Sequence, residues 1–266
     1  MAIEWKIDEK TRTLVIRGRG PMSDYIDDLY KKQPWHSKGS KLPRSKKDMT
    51  ILHIKVGSGV TVIGQRSFEG LKDVETVELP KSVKIIGKYA FSECSSLKSV
   101  TIPAGVETID EFAFNKCIGL ESVTIEGAKT IGDNVFSGCT SLESVKLPTG
   151  LTSIGEGAFW GCSSLTAVKI PSGIKSVRNQ TFYGCSSMTS LKIPSTVTEI
   201  ERSAFSGCSS LTTVKLPSKL KSIGACAFWG CKELEIDVLN EDIDIGKDAF
   251  RNVKSIEVKT GSWKKL

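Results

Sequence analysis

Histidine is almost absent from this chain: its 266 residues include two, His36 and His53. From Phe68 onward there is none, so neither a Ser-His-Asp nor a Cys-His pairing can be assembled across the body of the sequence. No Gly-rich phosphate-binding motif occurs, and the acids are scattered over variable positions. The cysteines lack the C-x₂-C spacing of a metal site. No catalytic, cofactor-binding or metal-binding residue is therefore assigned, and no enzyme activity is expected. Long apolar runs are missing as well. No stretch approaches 18 consecutive apolar residues, so no membrane insertion of this chain is expected. Its first residues, Met1-Ala2-Ile3-Glu4-Trp5-Lys6, lack the basic start and apolar run of a signal peptide, and none is expected in this chain. Hydrophobic residues at 39% and charged residues at 25% argue against a disordered, collagenous or coiled-coil chain.

Net charge is +7. Residues 31 to 47 hold Lys31, Lys32, Lys38, Lys41, Arg44, Lys46 and Lys47 with no acid, so the rest of the chain sums to about zero. That pattern speaks against a basic groove along the whole molecule. No nucleic-acid partner is expected, and the segment itself reads as a solvated loop.

What the sequence has in quantity is repetition. Phe68, Phe91, Phe114, Phe136, Phe159, Phe182, Phe205, Phe228 and Phe250 recur every 22 or 23 residues. A period of that length signals a solenoid. Within each unit a short alternating stretch predicts a strand, as in Val100-Thr101-Ile102, Val123-Thr124-Ile125, Val145-Lys146-Leu147, Val168-Lys169-Ile170, Leu191-Lys192-Ile193 and Val214-Lys215-Leu216. Strands separated by one coil each should form one parallel sheet, with outward residues stacked about 4.8 Å apart. Pro80, Pro103, Pro148, Pro171, Pro194 and Pro217 follow the strands and would end the ladder there. The Ala-Phe-x-x-Cys segment predicts a short helical or 3₁₀ turn on the opposite wall. The fold class expected is thus α/β, with residues 51–258 as an array of about nine units. Residues 1–50 would cap it, using a strand pair at Trp5-Lys6-Ile7 and Thr13-Leu14-Val15-Ile16. Residues 259–266 would be a tail, with a last strand at Ile256-Glu257-Val258 and Trp263 available to cover the end.

Cys94, Cys117, Cys139, Cys162, Cys185, Cys208 and Cys231 each stand three residues after a phenylalanine. Seven identical positions suit a ladder of buried thiols used as small apolar fillers. Cys226 lies instead two residues before Phe228, in a variable column expected to be exposed, where it could be reactive or dimer-forming.

The repeat resembles the BspA-type, or treponemal-type, leucine-rich repeat family. The family pattern Leu-x-x-Val-x-Ile-Pro-x-x-Val-x-x-Ile-Gly-x-x-Ala-Phe-x-x-Cys-x-x is matched by residues 142 to 164, and the resemblance extends over residues 51 to 258. Trp5, Gly18, Gly20, Met22, Tyr25 and Pro34-Trp35 resemble the cap that precedes such repeats. Departures fall at Glu126-Gly127-Ala128, which replaces Pro-x-x-Val, and at Asp242 and Asp244 in the last unit. The resemblance implies a cell-surface or secreted, adhesin-like binding module of bacterial or protozoan type. A protein or glycan ligand and a monomeric state are expected. An intracellular interaction scaffold and a salt-sensitive binder of heparin or nucleic acid are the alternatives.

No family motif fixes ligand-contacting residues, so candidates come from the solvent-facing columns. One is the middle of the strand, where Lys146, Lys169, Lys192 and Lys215 occupy four successive units beside Ser144, Ala167, Ser190 and Thr213. The other follows the phenylalanine and holds Trp160, Tyr183, Ser206 and Trp229. Aromatics in line at a surface suit an interface or carbohydrate stacking. Tyr89 and Phe112 make a similar pair two residues before their own phenylalanines.

Overall fold

The computed structural model describes residues 2–25, 33–35, 50–238 and 243–258. The basic loop expected at 31–47 falls almost wholly outside them, and Trp263, expected to cover the end, falls wholly outside. Within the described residues the chain winds into a β-solenoid. Its strand wall begins with the antiparallel pair Glu4–Asp8 and Thr13–Arg17, followed by His53–Val56 and Thr76–Glu78 in parallel. Eight parallel strands continue it, from Ser99–Ile102 to Ser255–Val258. Alternation sets the faces: Val100, Val123, Val168, Leu191 and Val214 point inward, and the residues on either side point out.

A second strand wall was not anticipated. Two-residue strands such as Ile85–Ile86, Thr108–Ile109, Thr130–Ile131 and Ser153–Ile154 pair in parallel, and so do Ser176–Val177, Glu199–Ile200, Ser222–Ile223 and Asp244–Ile245. Two residues are too few for an alternation to show in the sequence. The pairing is interrupted between Ile154 and Ser176. Across that seam Arg178 reaches Glu156 at 2.7 Å and Asp133 at 3.3 Å.

The third wall corrects the sequence reading. No helical or 3₁₀ segment is present among the described residues, so the architecture is all-β rather than α/β. Successive amides around Phe91 explain why. Ala90, Ser92 and Cys94 donate three residues back, to Gly87, Tyr89 and Phe91, which closes tight turns. The amides between them turn sideways: Phe91 donates to the Ala113 carbonyl and Glu93 to that of Asn115, both at 2.8 Å. A helix would send every amide back along its own chain. Here half of them join neighbouring coils. The residues two before and two after each phenylalanine carry positive φ, for example Tyr89 at 55° and Glu93 at 61°, Gln180 at 53° and Gly184 at 70°. That left-handed conformation prevents the turn from propagating as a helix.

Inside, the nine phenylalanines form one stack, with ring centroids 5.1 to 5.6 Å apart. The buried Trp35 of the cap continues it at 5.6 Å from Phe68 and meets Trp5 and Tyr25 edge-on. The indole N–H of Trp35 donates to the Ser67 carbonyl at 3.0 Å. Burial of each such ring contributes on the order of 2–3 kcal/mol. Beside the rings run seven buried free thiols. Each Sγ–H donates to a phenylalanine carbonyl one coil back, as Cys162 does to Phe136 at 3.2 Å and Cys185 to Phe159 at 3.2 Å. A cysteine thus fills a small apolar space and satisfies a buried carbonyl. Burial pushes these thiols well above their ordinary range, to about 12 for Cys231.

Three expectations follow from this packing. Phe159→Ala interrupts the stack and should lower unfolding free energy by about 3–5 kcal/mol in urea denaturation. Gly155→Ala places a Cβ 2.4 Å from the Gly132 backbone and should cost about 1–3 kcal/mol, whereas Gly150, with nothing within 4 Å, should accept alanine without loss. Iodoacetamide at pH 8 should label one of the eight cysteines in the native state, the half-exposed Cys226, and all of them in denaturant. Because the folded thiols titrate higher than unfolded ones, their contribution is complete below about pH 8.5 and fades as pH rises above it. The urea midpoint should therefore fall on going from pH 8 to pH 10.

Candidate binding surface

The strand wall places Lys146, Lys169, Lys192 and Lys215 on successive strands, all exposed. Lys169 pairs in register with Lys192, and Lys192 with Lys215. The inward valine or leucine before each lysine anchors the strand, and the ladder fixes the side chains at one strand spacing. Elsewhere on the surface the same spacing yields ion pairs. Lys55 reaches Glu78 at 2.8 Å, Lys98 reaches Glu121 at 3.0 Å, and Lys84 reaches Glu107 at 3.8 Å, each across one coil. Lys146, Lys169 and Lys192 each have a lysine where that partner would be, the strand after Lys215 carries Asp237 at that position, and the salt bridges among the described residues include none of the four. This contrast was available in the sequence as Lys–Glu pairs 23 residues apart, a signal that a search for chemical motifs passes over.

Small residues flank the stripe on both sides. Ser144, Ala167, Ser190 and Thr213 are exposed on one side, and Thr149, Ser172, Ser195 and Ser218 follow the prolines on the other. None of these hydroxyls hydrogen-bonds to another described residue. Around Lys192 and Lys215 the wall dips into a shallow concavity of about 650 Å³, lined also by Ser190, Thr213, Glu235 and Ser255.

The aromatic column behaves differently. Trp160 and Tyr183 stack at 6.0 Å with nearly parallel rings, and Trp160 stays 42% exposed. Trp229 is 41% exposed and stands apart, with the buried Ser206 rather than an aromatic ring between it and Tyr183. The column is thus one stacked pair and one separate indole. It lies on the turn wall, so the structure does not bring it together with the lysines. Tyr89 and Phe112 stack at 4.9 Å, with the Arg66 guanidinium 4.5 Å over the tyrosine, and serve as local packing. Cys226 is half-exposed in the left-handed column. His53 Nδ1 lies 2.8 Å from the Thr76 hydroxyl on the strand wall.

Among the described residues no group of His, Cys, Asp or Glu could hold a metal ion, and no helix is long and apolar enough to cross a membrane. A comparison with curated proteins finds no match. The chain is similar in structure to a leucine-rich repeat protein of T. pallidum (25% identity, 79% of this chain and 87% of that one, TM-score 0.57). It is also similar to the pneumococcal vaccine antigen PcpA (19% identity, 96% and 80%, TM-score 0.53). A leucine-rich cell surface protein of Faecalibacterium prausnitzii aligns more loosely (22% identity, 97% and 93%, TM-score 0.44). The model of the BspA type leucine rich repeat region matches six copies over residues 46–141 and 129–257, and the chain belongs to that family.

Proposed function

We propose that this protein is a non-catalytic, adhesin-like module, secreted or displayed at a cell surface, that holds acidic host or microbial proteins or glycans on its strand wall. The observation that carries this reading is the lysine stripe, in which Lys146, Lys169 and Lys192 are each followed by a further lysine, on a surface where Lys55 and Lys98 are neutralised across coils. In water two charges about 5 Å apart repel by roughly 0.8 kcal/mol, so the stripe is a standing demand for anions. Repeat arrays offer long contact surfaces of this kind. The family resemblance supports the surface location. A second contact is favoured by the exposure of Trp160 and Trp229, aromatic anchors on the turn wall that would act independently of salt.

Binding of the purified protein to immobilised matrix proteins and acidic glycans, at low and physiological salt, tests the proposal. Binding should weaken with salt and disappear in Lys169→Glu/Lys192→Glu, and it should survive Trp160→Ala/Tyr183→Ala/Trp229→Ala. Salt-resistant binding lost only in the aromatic variant would move the contact to the turn wall. No binding to any component would defeat the module reading in favour of an intracellular scaffold.

A further inference from the structure

Resting on the strand-wall reading, we infer that the occupant of the lysine stripe is a linear 1,4-linked polyuronate, lying along the solenoid axis with one carboxylate per coil. Four observations select it.

The first is the charge interval. Parallel strands set the lysine roots about 4.8 Å apart, in register through Lys169, Lys192 and Lys215. A polyuronate carries one carboxylate on every ring and advances by roughly one strand spacing per ring. Its carboxylates project alternately from the two edges of the ribbon. Stacked lysines, whose direction the ladder leaves free, can relieve their mutual repulsion by leaning alternately to either side, which would match that pattern.

The second is the hydroxyl border. The stripe is edged by Ser144, Ser190 and Thr213 on one side and by Thr149, Ser172, Ser195 and Ser218 on the other, all exposed and without hydrogen-bond partners among the described residues. A sugar ribbon presents hydroxyls along both edges, where these groups can donate and accept.

The third disfavours a peptide. The strands of the stripe are hydrogen-bonded on both sides, so no free edge exists there for a peptide to extend the sheet. A polypeptide would meet only side chains and would leave the serine border unused.

The fourth disfavours nucleic acid. Single strands are held by basic grooves combined with stacking aromatics. The aromatics of this protein stand on the turn wall, away from the lysines.

Titration calorimetry of the full chain with polymannuronate oligosaccharides of two to eight rings tests the assignment. Affinity should climb with length up to about four or five rings and then level off, as the four lysines fill. Hyaluronan oligosaccharides, charged on every second ring, should bind more weakly at equal length. Lys169→Ala and Lys192→Ala should each weaken the uronate about two- to fivefold, the scale of an exposed ion pair. The triple variant Ser190→Ala/Ser195→Ala/Thr213→Ala should weaken the uronate at least about threefold, the scale of one neutral hydrogen bond, and leave polyglutamate binding unchanged. The sites are exposed, and circular dichroism checks that the variants fold.

Polyglutamate that matches the uronate at physiological salt, with no effect of the triple variant on either, would overturn the polyuronate assignment. The stripe would then be a general dock for acidic proteins, and the wider function would stand. Failure of every uronate at low salt would overturn the assignment as well. Only if the matrix panel also failed would the binding module itself fall.

Discussion

Every feature of this molecule depends on the interval between hydrogen-bonded coils. A parallel ladder holds neighbouring strands about 4.8 Å apart, and a repeat of 22 or 23 residues returns the chain to the same angular position one step further on. Each side chain therefore sits on its counterpart from the previous unit. The constraint rewards residues that tolerate their own company. Phenylalanine does, because rings stack at 5.1 to 5.6 Å with most of their area hidden. Cysteine does, because it is small and its weak donor reaches the carbonyl left open beside the ring. Glycine is required where the coils come close: at Gly155, Gly224 and Gly246, for example, a Cβ would lie within 2.4 to 2.5 Å of the previous coil's backbone.

The same constraint explains how far the fold was legible. Columns of identical residues announce themselves, so the phenylalanine stack, the thiol ladder and the main strand wall could be read directly. The turn wall could not. Its geometry rests on left-handed residues on both sides of each phenylalanine, and the glycine that marks them stands mainly at the following position, at Gly70, Gly138, Gly161, Gly184, Gly207 and Gly230. The preceding position holds a glycine once, at Gly157, and otherwise Arg66, Tyr89, Phe112, Asn134, Gln180, Ser203, Cys226 and Asp248. Lateral hydrogen bonds from the alternate amides compensate for a conformation that these side chains disfavour. A pattern of Ala-Phe flanked by polar residues looks helical when the chain is considered alone. It becomes a stack of turns when the neighbouring coil supplies the acceptors.

Legibility of the binding surface followed the same division. The lysine column could be found because it is a strand column, and strand alternation decides which residues face out. The aromatic column was found by register, with Ser206 standing between Tyr183 and Trp229. Register gives position along a column and says nothing of exposure, which leaves Ser206 buried and Trp229 open to solvent. The i,i+23 ion pairs, visible in principle, gain meaning only when the coil spacing places both partners within reach, as for Lys98 and Glu121.

Those pairs also support the proposed role of the stripe over an accident of repetition. In the first half of the array, strand-wall charges are resolved inside the protein: Lys55 is answered by Glu78, and the next two positions are Thr101 and Thr124. One acid at Lys169 or Lys192 would do the same in the second half, and the column tolerates acids, since Glu78 occupies it. Exposed pairs contribute less than about 1 kcal/mol each, so stability alone exerts little pressure in either direction. What the lysines do change is the field. Like charges held at a fixed interval, with lysine rather than acid in the next coil from Lys146 through Lys192, remain available to a partner from outside. The ladder fixes the spacing of those charges and leaves their direction free. A ligand that supplies anions at the spacing of the coils therefore satisfies them all at once, without moving the backbone that holds them.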